Sequence, residues 1–131
     1  MKKIFIILLA TFLCGGINSC KKAGTDGNTT VVVFAKHHGM TIPNHVGYPD
    51  TVYVKFNSQE AASSLSDFDT YFVGEVGEDH IHCTNLHTGN YYLFVAGKDT
   101  TINQRVVGGM AIKIKHKDRN QEIDQDVAVT E

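Results

Sequence analysis

Asn90-Tyr91-Tyr92-Leu93-Phe94-Val95-Ala96 is the stretch that decides the fold. Its aromatic and β-branched side chains suit a pleated surface, and it carries no helical apolar stripe. Reading outward, the neighbours share its period of two. On the C-terminal side, Gly109 to His116 alternates Ile112 and Ile114 with Lys113 and Lys115. Asp118-Arg119-Asn120 turns the chain, and Gln121 to Thr130 alternates again as far as Val127 and Val129. On the N-terminal side, His80 to Thr84 is a short strand behind the turn residues Gly77-Glu78-Asp79. Asp69 to Val76 holds Tyr71, Phe72, Val73 and Val76. Asp50 to Phe56 puts Val52, Val54 and Phe56 on one face and Thr51, Tyr53 and Lys55 on the other. Thr29 to Lys36 is dense in β-branched residues.

Seven strands punctuated by Gly, Asn and Asp turns predict an all-β fold, an antiparallel-type β-sandwich, with a barrel as the second arrangement. The best helical candidate, Ser58 to Leu65, is long enough for one or two turns in a connection.

The 131 residues are 42% apolar and 20% charged, which fits one globular domain and disfavours disorder, collagen-like repeats and coiled coil. A formal charge of −2 lacks the basic footprint of a nucleic-acid binder.

The N-terminus reads as an address. Met1-Lys2-Lys3 is a basic start, and Ile4 to Leu13 is an apolar run too short for a bilayer, which needs about 20 residues. Ile17-Asn18-Ser19-Cys20 resembles a bacterial lipobox. Residues 1–19 are therefore expected to be a lipoprotein signal peptide, with Cys20 lipidated and residues 20–28 forming a flexible, polar tether. Residues 29–131 form the single β-sandwich domain. Several acyl chains would give stable anchoring to the membrane. With Cys14 removed and Cys20 a thioether, Cys83 stands alone, so the domain must be held by its core. Lys21 after the lipidated cysteine favours an outer-membrane lipoprotein, and the lack of acidic residues there favours a periplasm-facing position.

Asn85-Leu86-His87-Thr88-Gly89-Asn90-Tyr91 resembles the N-L-x-x-G-x-Y signature of carboxypeptidase-regulatory-like and transthyretin-like (prealbumin-like) domains. Gly39-Met40-Thr41-Ile42-Pro43 after the first strand is similar to their G-x-P-I-P, although Asn44 to Pro49 is an insertion relative to that pattern. The resemblance covers Thr29 to about Gly97. It implies a sandwich in which Leu86 ends one strand, Gly89 turns the chain and Tyr91 opens the next. It brings no catalytic residue, since these domains are mostly accessory modules. The whole chain also resembles small lipoproteins of Bacteroidota.

Candidate chemistry is sparse. No phosphate loop, nucleophile elbow or His-Glu-x-x-His is present. Ser63, Ser64 and Ser66 have no histidine close in sequence, which leaves a hydrolase as the remotest reading. The carboxylates Asp67, Asp69, Glu75, Glu78 and Asp79 read as solvated turns. Seven histidines are the one compositional oddity. His80 and His82 share a strand face about 6–7 Å apart and can converge on Zn²⁺ or Cu²⁺, completed by His37 or His38. Ile81 and Cys83 then face the core beside Leu86. Asp50-Thr51-Val52 and Asp99-Thr100-Thr101 resemble an O-glycosylation motif of exported Bacteroidota proteins, with Thr51 and Thr100 as acceptors. The expectation is thus a non-enzymatic, lipid-anchored envelope module whose partner is an envelope protein or glycan. A periplasmic Zn- or Cu-binding protein is the alternative.

Overall fold

The computed structural model describes residues 22–131, so the expected signal peptide and Cys20 lie outside the described residues. Eight strands follow one another: β1 (Thr29–His37), β2 (Met40–Thr41), β3 (Thr51–Phe56), β4 (Thr70–Val73), β5 (Ile81–Leu86), β6 (Gly89–Asp99), β7 (Gln104–Ile114) and β8 (Glu122–Val129). Leu65–Asp67 and His116–Asp118 are single 3₁₀ turns. Among the described residues there is no α-helix. The turns expected over Ser58–Leu65 do not form. There the Ser58 hydroxyl donates to the Glu60 carbonyl and accepts from the Glu60 N–H, drawing the backbone into a local turn.

The strands form two sheets. In one, β1 is central: β8 runs along one edge, while β5 and the short β2 share the other. The second sheet has the order β4-β3-β6-β7 and is antiparallel throughout. Two expectations need correction. Among the described residues there are eight strands against the expected seven or so, because His38 and Gly39, both at positive φ (48° and 80°), fold a tight hairpin that pairs His37 with Met40. The sandwich is also not purely antiparallel. β7 and β8 lie in different sheets, and the chain between them turns through His116–Asp118 to re-enter beside the start of β1, with Thr30 N–H donating to Gln121. β8 must then run parallel to β1, from Thr30↔Glu122 to His37↔Val129. The two sheets touch again at Val107↔Thr130.

β6 and β7 also reach further than the sequence reading, which stopped at Ala96 and began again at Gly109. Their glycines are places of close approach rather than punctuation. A Cβ on Gly108 would overlap the Ala128 carbonyl where the sheets meet.

The core lies between the sheets. Val31, Val33, Ile81, Cys83 and Leu86 from the first meet Val52, Val54, Tyr91, Leu93 and Val95 from the second, all essentially fully buried. Each large apolar side chain contributes roughly 1.5–3 kcal/mol on burial. Cys83 is a free thiol, and burial pushes its pKa up to about 12, so it serves as a small apolar filler.

The segment leading into β1 is held rather than free. Ala23 is 8% exposed, and its N–H donates to Asn57 Oδ1. Gly24 N–H donates to the Tyr91 hydroxyl, which itself reaches the Gly24 and His87 carbonyls. His87 N–H donates to Gly24, and Gly27 N–H to Asn85. The flexible tether expected over residues 20–28 is therefore corrected for Ala23–Asn28, which docks across the β5–β6 turn. Gly89, at φ +152°, lies where a Cβ would sit 3.0 Å from that of Ala23. Leu86 closes β5, Gly89 opens β6, and Tyr91 is fully buried behind them.

Candidate metal centre

Alternation along β5 sends Ile81 and Cys83 inward and leaves His82 on the outer face of the first sheet, with His80 just before the strand. The rings of His80 and His82 meet edge to face with centroids 4.7 Å apart, and their Nε2 atoms are 3.0 Å apart. His80 Nδ1 donates to Asp79 Oδ1 at 2.8 Å. A carboxylate can only accept, so this bond fixes the proton on Nδ1 and turns the Nε2 lone pair towards His82. Glu78 completes the group, with Oε2 3.5 Å from His80 Nε2. That oxygen is buried and has no hydrogen-bond partner. Phe34 covers the His80 ring from β1 at 5.5 Å.

The electrostatics follow this geometry. The Asp79 hydrogen bond, with Glu78 behind it, raises the His80 pKa against the opposing effect of burial. The Asp79 carboxyl is lowered in return by the His80 hydrogen bond.

Asn44 holds the segment in place. Its Nδ2 donates to the carbonyls of Glu78 and His80, both at 3.1 Å, and its Oδ1 accepts from Asp50 N–H at 3.0 Å. It is 3% exposed, and Gly74 packs against its amide so closely that a Cβ would not fit.

The structure does not bring His37 or His38 to this pair. His82 pairs with Val32, so the His80–His82 face is the outward, even-numbered face of β1. His37 lies further along β1 on the inward face, 4% exposed, and His38 sits in the β1–β2 turn. These two gather instead with Glu131, and a carboxylate from the same strand end takes the place at His80 that sequence reading reserved for them. By sequence alone Glu78 is a solvated turn residue. Its neighbours at i+2 and i+4 were the available signal. Asn44 gave none.

His37 Nδ1 donates to Asp99 Oδ2 at 2.7 Å, and its Nε2 faces Glu131 Oε2 at 3.6 Å. The His37 pKa is raised, first by the Asp99 hydrogen bond and, against burial, by Glu131. Asp99 also accepts from the Thr101 hydroxyl and N–H, and with His37 these bring its pKa down to about 2. An Asp–His pair supplies two of the three members of a hydrolytic triad, but the Thr101 hydroxyl here is bonded to the aspartate rather than to Nε2. Ser64 bonds Ser66 and Asp67 across the 3₁₀ turn.

Elsewhere, a groove of about 620 Å³ on the second sheet is lined by Tyr48, Thr51, Tyr53, Lys98 and Arg105, with Lys98 Nζ 4.0 Å above the Tyr48 ring. Thr51 is partly exposed within it. Thr100 is exposed, with its hydroxyl 3.0 Å from His45 Nε2. No helix among the described residues is long and apolar enough to cross a membrane.

Comparison with protein-family models, curated proteins and solved structures finds no match for the chain. Fold and site therefore define its class by themselves: an all-β, two-sheet domain with a histidine–carboxylate trio on one sheet face.

Proposed function

We propose that this chain is a non-enzymatic, lipid-anchored β-sandwich of the cell envelope, of prealbumin-like type, that binds a divalent transition-metal ion through Glu78, His80 and His82. One observation carries the metal reading. Metal–nitrogen bonds of about 2.0–2.1 Å in a tetrahedron separate neighbouring ligand atoms by about 3.3 Å. His80 Nε2 stands 3.0 Å from His82 Nε2 and 3.5 Å from Glu78 Oε2. The Asp79 carboxylate behind His80 is the outer partner that metal-bound imidazoles favour, since it fixes the tautomer and strengthens the donor. Two imidazoles and a carboxylate suit Zn²⁺ or Cu²⁺ and leave a position for water.

The anchoring part of the proposal rests on the lipobox-like Ile17-Asn18-Ser19-Cys20. The docked Ala23 adds an orientation. Only Lys21 and Lys22 separate Cys20 from the held segment, which would keep the β5–β6 turn near the bilayer. Lys113, Lys115, Lys117 and Arg119 lie near that end, close to the headgroups of an outer-membrane leaflet facing the periplasm. His80, which precedes β5, would then lie towards the end of the sheet away from the membrane. The glycan reading retains the Tyr48–Tyr53 groove as its surface.

Calorimetric titration of the purified protein with Zn²⁺ tests the metal site. Micromolar or tighter binding is expected, with one equivalent lost in His80→Ala/His82→Ala. An equal stoichiometry in that variant would remove the Glu78–His80–His82 site from the proposal. In the same preparations, Cys20→Ala protein should leave the membrane fraction, and its retention with unchanged mass would remove the anchor from the proposal.

A further inference from the structure

His37 is the most enclosed histidine, with its side chain 2% exposed, and it is only half satisfied. Its Nδ1 is bonded to Asp99, yet its buried Nε2 has no hydrogen-bond partner. A buried polar atom left unpaired is costly, so such a vacancy in a well-packed position points to something that fills it.

The surroundings define what would fit. Glu131 Oε2 lies 3.6 Å from Nε2, and the His38 ring lies against that of His37 with centroids 4.1 Å apart. Ligand atoms of all three residues fall within 4.8 Å of one another. With the proton held on Nδ1 by Asp99, Nε2 and the carboxylate are two electron-pair donors facing each other. A cation between them removes the conflict. A proton would bridge two donors, but the site offers three.

We infer that His37, His38 and Glu131 form a second site for a divalent transition-metal ion, separate from the Glu78–His80–His82 trio, with Asp99 as the positioning residue that orients His37. The ligands come from the end of β1, the β1–β2 turn and the residue after β8's final bridge, while Asp99 comes from the end of β6 in the other sheet. The ion therefore closes the seam between the two sheets at the end of the sandwich opposite Ala23. Two nitrogens and one oxygen again select Zn²⁺ or Cu²⁺ over Ca²⁺ or Mg²⁺, which prefer all-oxygen sites. Asp99 is itself held by Thr101, so the His37 ring is fixed before the ion arrives.

The test is titration of the full-length protein in detergent with Zn²⁺, in wild type and in three variants. Two equivalents are expected in wild type and one in His80→Ala/His82→Ala. Adding His38→Ala or Glu131→Gln to that double variant should weaken the remaining equivalent at least tenfold. These exposed positions are chosen because His37→Ala removes a buried side chain and can prevent folding. Nitrogen-15 spectra of labelled histidines supply an independent readout: on zinc addition His37 Nε2 should move to the metal-bound range while Nδ1 stays protonated. Loss of all binding in a folded His80→Ala/His82→Ala protein would overturn the inference. So would residual binding indifferent to His38→Ala and Glu131→Gln, or a His37 that stays doubly protonated at saturating zinc. A wild type binding a single equivalent that survives His80→Ala/His82→Ala and is lost with Glu131→Gln would overturn the first site and leave this one standing.

Discussion

The two histidine clusters are built by opposite means. Glu78, His80 and His82 come from five consecutive residues, and the alternation of one strand is enough to put both rings on one side. His37 reaches Asp99 across 62 residues and the gap between the sheets, and Glu131 arrives from the strand that closes the fold. The first cluster is local, half-exposed and mounted on the outside of a finished sheet. The second exists only if β1, β6 and β8 have all reached their final places. A local cluster can change with little effect on the fold, whereas a long-range one is part of what holds the fold together.

The strongest way to break that contrast is to delete one ring from each cluster. His37→Ala strips Asp99 of a buried partner and opens a void at the end of β1. A loss of melting temperature on the order of 15 °C is expected. His82→Ala removes an exposed side chain hydrogen-bonded to another histidine, and a change of about 2 °C or less is expected. Thermal melts followed by circular dichroism in a chelating buffer measure both. Equal losses would mean that the outer cluster is as much a part of the fold as the inner one.

The same distinction explains what was legible in the sequence. Period-two alternation revealed the strands around Tyr91, Val52 and Ile112, because burial on one face leaves a record in neighbouring residues. It placed Ile81, Cys83 and Leu86 in the core for the same reason. It also paired His80 with His82. Alternation does not record which strand lies beside which, so the parallel β1–β8 pairing was not visible, and neither was the separation of His37 from His80. Asp99 was read as part of a three-residue surface motif, and Glu131 lay beyond the last alternating residue. Gly97 and Gly108 misled for a further reason. A glycine required by a close neighbour within a strand looks, in sequence, like one required by a turn.

Asn44 offers a middle case, since a long-range residue supports the local cluster. Its amide joins the Glu78 and His80 carbonyls to the Asp50 N–H from within the protein. Asn44→Ala leaves those three groups short of a partner, and a fall of about 8 °C in melting temperature is expected. Zinc binding by the first site should weaken although no ligand has been removed, because the turn carrying Glu78 loses its brace. The backbone bond from Asn44 N–H to the Glu78 carbonyl survives the substitution. Unchanged melting and unchanged zinc binding would show that this single bond is sufficient and that the outer cluster is self-supporting.

The smallest effect concerns what burial does to a carboxylate with and without partners. Asp99 has His37 and Thr101, and its pKa falls to about 2. Asp50 is 1% exposed, with neither carboxylate oxygen in a well-formed hydrogen bond, and burial pushes its pKa up to about 6 despite the nearby Lys98 N–H. A raised carboxyl pKa means that the folded state holds its proton more tightly than the unfolded chain. Between about pH 4 and pH 6 the native protein thus binds more protons, and stability falls as pH rises. The cost is absent below pH 4 and complete above pH 6. Asp50→Asn removes the charge at similar volume but brings an amide N–H₂ without an evident acceptor, so only part of the cost is recovered. A gain of about 4 °C at pH 7.5 is expected, turning into a loss near pH 4, where the protonated carboxyl carries no charge cost and only that of the amide remains. Melts of the two proteins across that range decide the matter. A gain that is constant with pH would show that Asp50 is not the titrating group, and a loss at pH 7.5 would mean that the buried carboxylate has a partner in solution after all.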